Sequence, residues 1–303
     1  MKKENKFFCK IFQKLRPVEG IIIIYFLALS LLLIFLHRGL EKWPVYLLLN
    51  FFVIAIIAVM NWLHPKFNSY VFDFFYYWYP ILIFLFGFEQ AARLNHILFL
   101  KWFDPLILKF EKLIYGVYPT IWFSSHSSPW LTETLQFFYF TYYLQFPILG
   151  AYFYAKKKIN TFNNFLFASF TSYISCFLIY FIFPIEGPYH TLIHLRTSRV
   201  DGYLFDFLVN LVQARGGVHG NALPSAHIAT SVIAVIFAYK YARKVFYFLF
   251  PATIGLCVGA VYGWYHYASD IFAGIIIGLL AYCLFYKLLF NWWDKKIYPL
   301  TYD

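Results

Sequence analysis

Two short strings hold the residues best suited to chemistry: HGNALPSAH at 219–227 and YGWYHYASD at 262–270. His266 and Asp270 stand four residues apart, which puts both side chains on one helical face if a helix reaches back to His266. A carboxylate so placed accepts a hydrogen bond from one ring nitrogen and leaves the other as a nucleophile or base. LPSAH reads as a helix start, with Pro224 in the first turn and Ser225 beside it. Its N–H groups and the helix dipole favour an anion, and Gly220, next to Asn221, lets backbone approach a phosphate closely. His227 projects from the same turn and can protonate a leaving oxygen. Taken singly these residues have ordinary readings, since a membrane histidine is often satisfied by a carbonyl or tyrosine and Pro-Ser commonly starts a helix. The combination of an anion site, two histidines and an aspartate points to phosphoryl chemistry.

The elements that must position these residues are membrane helices. The chain is 62% hydrophobic and 25% aromatic but only 13% charged, too few charges for a soluble globular protein of 303 residues. Apolar runs of about 20 residues recur throughout, the length needed to cross a bilayer core. They are continuous rather than alternating, which favours helices over a barrel. The fold expected is an all-α polytopic bundle with spans at 19–36, 45–63, 71–92, 133–155, 163–184, 224–241, 245–263 and 269–290. Residues 1–303 form one integral membrane domain, with a catalytic core at about 133–290 and extra N-terminal spans within 19–92.

An even number of spans returns both termini to one side. Lys2, Lys3, Lys6, Lys10, Lys14, Arg16, Lys66, Lys156–Lys158, Lys240, Arg243, Lys244, Lys287, Lys295 and Lys296 then share that side, which identifies it as cytoplasmic. The net charge of +11 is thereby read as orientation, not as nucleic-acid binding. Both histidine strings fall on the opposite face, periplasmic if the membrane is a bacterial inner membrane. Cys9, Cys176, Cys257 and Cys283 have no metal-ligand or CxxC spacing and read as packing residues. The basic N-terminus lacks a small-residue cleavage site, so the first span is expected to be retained.

Two loops are irregular. Residues 93–132 alternate aromatic and apolar positions, and part of the stretch reads as an amphipathic helix lying flat at the interface, a membrane-surface anchor. Residues 185–223 are Gly-rich and polar, and their length without obvious structure suggests function. With no compact ligand motif such as HExxH, no metal or other cofactor is expected.

The strings resemble the type 2 phosphatidic acid phosphatase (PAP2) superfamily, whose second block reads PSGH and whose third reads SR, five residues, His, three residues, Asp. PSAH supplies Pro224, Ser225 and His227, and YHYASDIFAG supplies His266, Asp270 and Gly274. DPLILKFEKLIYGVYP and SPWLTETLQFFYFTYYL look like the branch that includes inositol phosphorylceramide synthases. The resemblance implies a six-helix core, in-line attack by His266 on a lipid phosphorus, support by Asp270 and protonation of the leaving group by His227. It implies a phospholipid or lipid phosphate as partner.

Two departures bear on function. Ala260 stands where the phosphatases have Arg, and FPIEGPYH at 183–190 stands in place of their first block, Lys, six residues, Arg-Pro. KIFQKLRP at the N-terminus is a near miss on the wrong face, with Cys9 at the Lys position. Arg196, Arg199 and Arg215 lie in the right loop to replace the lost charges. The synthase branch shares these departures and keeps Tyr262 or the HY-x-x-D pattern, which favours phosphotransfer over hydrolysis. A lipid phosphate phosphatase and a non-catalytic lipid-binding member remain as alternatives.

Overall fold

The computed structural model describes residues 15–37, 40–196 and 200–289, and these are helical, with no strand among them. The helices are α1 (Pro17–Leu36), α2 (Trp43–Leu63), α3 (Tyr70–Arg93), α4 (Asp104–Tyr115), α5 (Pro119–Ser125), α6 (Pro129–Ala155), α7 (Ile159–Ile182), α8 (Leu204–Gly216), α9 (Ala226–Tyr241), α10 (Arg243–Tyr262) and α11 (Ala268–Leu280). Single turns at Pro188–Thr191 and Ile193–Leu195 interrupt the loop after α7. Prolines open α1, α2, α4, α5 and α6, where the missing N–H goes unused. Gly116, at φ 72°, ends α4 in the left-handed conformation that glycine adopts without strain.

Six of these helices are long and apolar enough to cross a membrane: α1, α2 with its extension to Lys66, α3, α7, α10, and α11 with its continuation to Leu289. They make the chain an integral membrane protein. The other two expected spans correspond to α6, which is long but carries buried Thr132, Gln136 and Gln145, and to the shorter apolar α9. Large apolar side chains such as Leu48, Phe52, Leu82 and Phe248 face outward, as a lipid solvent requires.

Helix α9 packs against α6, α7, α10 and α11 and is the centre of the bundle. Its contact with α11 depends on small residues. A Cβ at Gly274 would lie 2.6 Å from the Ser225 carbonyl oxygen, and one at Gly278 would lie 2.6 Å from that of Ala229. Such close approach is how membrane helices gain packing energy without a hydrophobic drive. It brings the Ser225 N–H to the carbonyl of Asp270, at 3.0 Å.

The N-terminal helices bury their polar groups in pairs. Arg16 bonds Glu19 at 2.7 Å and lies over the Tyr76 ring, and Tyr79 donates to Glu19. Arg16 thus has a structural occupation that accounts for the KIFQKLRP near miss. Deeper in the bundle, Gln90 donates to Asn50, and Asn50 to Ser30.

The two loops differ from their expected character. Residues 93–132 contain α4 and α5, and α4 buries Asp104, Ile107 and Glu111 against the protein. Residues 185–223 contain the 13-residue helix α8, packed on α6. Glu133 of α6 accepts N–H bonds from Tyr203, Phe205 and Asp206, so a carboxylate from another helix satisfies the exposed donors at the start of α8.

Candidate active site

The two histidine strings meet at one cavity of about 730 Å³. Its lining includes His227, His266, Tyr262, Gly220, Asn221 and Arg196. His266 Nε2 lies 3.4 Å from His227 Nδ1, with the rings inclined at 65°. His266 is buried, and its Nδ1 is 2.9 Å from the Ala222 carbonyl oxygen and 3.5 Å from Asp270 Oδ2. A carbonyl only accepts, so Nδ1 carries the proton and Nε2 the lone pair. Burial pushes the His266 imidazole below the ordinary histidine range, against the pull of the Ala222 carbonyl.

The route by which Asp270 reaches His266 differs from the expected helical face. Helix α11 starts at Ala268, so His266 lies in the preceding loop. The carboxylate of Asp270 accepts the Tyr267 N–H at 2.8 Å and thereby fixes the turn that presents His266. The Ala260 carbonyl accepts the N–H groups of both Tyr265 and His266. The position that carries Arg in the phosphatases therefore serves here, through its backbone, to hold the same loop.

At the start of α9 the helix begins two residues later than expected, at Ala226. Ser225 is the N-cap and its hydroxyl accepts the Ile228 N–H at 3.4 Å, while Pro224 precedes the cap. Ser225 is fully buried, and its hydroxyl is engaged within the helix. Gly220 has φ 87°, and a Cβ there would lie 2.3 Å from Asn95 Nδ2 and 2.8 Å from Trp102. Glycine is thus required for packing as well as for backbone conformation. Asn221, at φ 62°, is buried on the cavity wall, and neither amide atom has a hydrogen-bond partner among the described residues. A buried amide of this kind calls for a ligand.

Of the three loop arginines, Arg196 lines the cavity with its guanidinium 5.1 Å over the Trp264 ring. Arg215 is exposed at the end of α8 and lies outside the lining, and Arg199 falls outside the described residues. Tyr262 lines the cavity and its hydroxyl bonds that of Thr132. Cys176 is buried, Cys257 half-buried and Cys283 exposed, all as free thiols.

Two carboxylates in the expected interfacial anchor form the site's scaffold. Asp104 accepts N–H bonds from Glu186 (2.8 Å) and Gly187 (2.9 Å) and hydroxyl bonds from Thr191 (3.0 Å) and Tyr267 (2.9 Å). Glu111 accepts the Ser269 N–H at 3.0 Å, and burial pushes its carboxyl above the ordinary range. Asp104 and Glu111 are seven residues apart on an amphipathic segment, a spacing that puts both on one face. That was the available signal for them.

The fold also assembles a cluster that no stretch of sequence contains. Glu186, His190 and His219 each offer an atom within 4.8 Å of the others, and all three line the cavity. The absence of a compact ligand motif therefore does not extend to the folded chain.

No curated protein and no solved structure matches the chain. A sequence model of the PAP2 superfamily matches residues 106–284, a stretch that includes all of α4 after Asp104 and Pro105, the cavity loop and both histidine strings. With more than half of the 303 residues covered, the chain belongs to the PAP2 superfamily.

Proposed function

We propose that the protein is a membrane-embedded lipid phosphotransferase of the inositol phosphorylceramide synthase-like kind. Superfamily membership supports phosphatase or phosphotransferase chemistry on lipid phosphates. The observation that carries the reading is the pair formed by His266 Nε2 and His227 Nδ1, 3.4 Å apart in a cavity whose lining includes Phe84, Leu85 and Phe88 of α3 as well as Gln136, Asn210 and Gln213 of α6 and α8. The apolar residues suit lipid, and the polar ones an alcohol or headgroup.

The His266 lone pair attacks phosphorus in line, and the bond from phosphorus to the departing oxygen breaks. His227, entering the step as the imidazolium, gives a ring proton to that oxygen and is left neutral. The developing imidazolium is stabilised by the Ala222 carbonyl and by the Asp270 carboxylate behind it. An acceptor alcohol then attacks the phosphohistidine, loses its proton to His227 and releases His266. Asn221 and Arg196 are the groups placed to hold phosphate oxygens, with Gly220, Ser225 and Tyr262 shaping the wall. No step passes through a metal.

Loss of both basic blocks, at Ala260 and at 183–190, supports transfer within this reading. The catalytic core of about 133–290 is completed at the cavity by Phe84, Leu85 and Phe88 of α3 and braced by Asp104 and Glu111 of α4. The distribution of Lys and Arg supports cytoplasmic termini and a site on the opposite face, periplasmic in a bacterial inner membrane.

The test is product analysis with a donor phospholipid labelled in its phosphate, supplied with a panel of alcohol acceptors. A new labelled lipid is expected. Free labelled phosphate alone would replace transfer with hydrolysis, and no product from any donor would sink the catalytic reading.

A further inference from the structure

Glu186, His190 and His219 form a second cluster in the same cavity, more open to water than the His227–His266 pair. Glu186 Oε1 lies 2.6 Å from His219 Nε2, and the rings of His190 and His219 are 4.3 Å apart. Two imidazoles and a carboxylate are a donor set suited to zinc, with room for a further ligand.

The backbone beneath these side chains is held in place. Asp104 takes the Glu186 N–H at 2.8 Å, Asn95 Nδ2 donates to the His219 carbonyl at 3.2 Å, and Trp102 lies against the His219 ring. The Thr191 hydroxyl, which donates to Asp104 at 3.0 Å, ties the turn after Glu186 to the same carboxylate. Such support from behind fixes the direction of ligand atoms before an ion arrives.

The charge of the cavity gives an ion a purpose. Among its described lining residues Arg196 is the one lysine or arginine, against the carboxylates of Glu186 and Asp206. Among those described residues a phosphate meets one fixed cation and two carboxylates. We propose that Glu186, His190 and His219 bind a divalent cation of the zinc type, and that this ion offers its open position to a phosphate oxygen. Ion binding stands independently of the two-histidine reading, whereas phosphate anchoring rests on that reading.

The experiment uses full-length protein in detergent, with any affinity tag removed and the metal stripped by EDTA, titrated with zinc chloride by calorimetry. Wild type, His194→Ala and His266→Ala are expected to bind one equivalent, and His190→Ala/His219→Ala to bind about tenfold or more weakly. Glu186→Gln, which keeps the Asp104-held backbone, is expected to show the same loss, so that misfolding of the double variant cannot decide the result. Zinc binding equal in all five proteins, or absent from wild type, overturns the site. Inorganic phosphate is then titrated with and without zinc. Phosphate binding about tenfold tighter with zinc supports the anchor, and unchanged binding overturns that role. A catalytically inactive protein that still binds zinc through these residues would refute the phosphotransfer reading and leave the ion site intact.

Discussion

The cavity holds two histidine clusters with opposite surroundings. At the floor, His266 is 4% exposed and is oriented from one ring edge by a carbonyl and a carboxylate, so its other nitrogen has a single direction in which to act. At the mouth, the His219 side chain is 56% exposed and lies against a carboxylate that is itself accessible. A histidine in a dry, oriented setting becomes a nucleophile, whereas one beside a water-accessible carboxylate becomes a ligand or a solvated ion pair. Residue type alone does not separate these outcomes.

The largest effects should come from the floor. His266→Ala is expected to abolish turnover of the labelled donor, because no other group carries the lone pair. His227→Ala should lower kcat by about 10²–10⁴, the range for loss of a general acid. Burial pushes His266 down, so its reactive neutral form persists as pH falls from 7 to 6, where an ordinary histidine would be largely protonated. The pH profile of kcat/KM should therefore show no loss on its acid side through that interval. Turnover retained in His266→Ala, or a profile that follows an ordinary histidine, would break the assignment of the floor.

How much of this was legible in the sequence follows from the same contrast. The proximity of His227, His266 and Asp270 was legible because the floor is built from two short strings, each ending at a helix start. The all-α membrane architecture was legible from the length of the apolar runs. The geometry around Asp270 was not, because i,i+4 spacing presumes a helix and His266 stands before one. Helix α8 was hidden in a polar loop, since the packing on α6 that holds it is made with residues distant in sequence. The mouth cluster joins residues 186, 190 and 219, and their meeting depends on Asp104 and Asn95, which lie about a hundred residues away in sequence.

Intermediate effects should come from the scaffold that serves both clusters. Asp104 bonds the backbone of Glu186 at the mouth and the hydroxyl of Tyr267 beside the floor, whereas Glu111 bonds the N–H and hydroxyl of Ser269 at the start of α11. Hydrogen bonds to charged groups contribute about 1.5–3 kcal/mol each. Asp104→Asn is therefore expected to lower kcat and zinc affinity together, each by roughly tenfold, the equivalent of about 1.4 kcal/mol. Glu111→Gln should lower kcat and leave zinc affinity unchanged. Kinetics and calorimetry on the same preparations check this. If Asp104→Asn alters only one of the two, the clusters do not share a support.

The smallest effect belongs to the wall between them. The guanidinium of Arg196 lies 5.1 Å over Trp264, a residue only 1% exposed whose Nε1 donates to the Ser124 hydroxyl at 2.9 Å. Stacking on a fixed ring sets the plane of the guanidinium, so Arg196 acts through orientation as well as charge. It is not adjacent to the proton that moves, and its substitution should weaken binding while sparing the chemical step. Arg196→Gln is expected to raise KM for the donor several-fold with kcat within about a factor of two, the pattern left by loss of uniform binding. Arg196→Lys keeps the charge and loses the planar stack, so a KM close to that of Arg196→Gln would identify orientation as the larger part. A fall in kcat equal to that of His227→Ala would instead put Arg196 with the floor, and the division of the cavity into reacting and binding walls would fail.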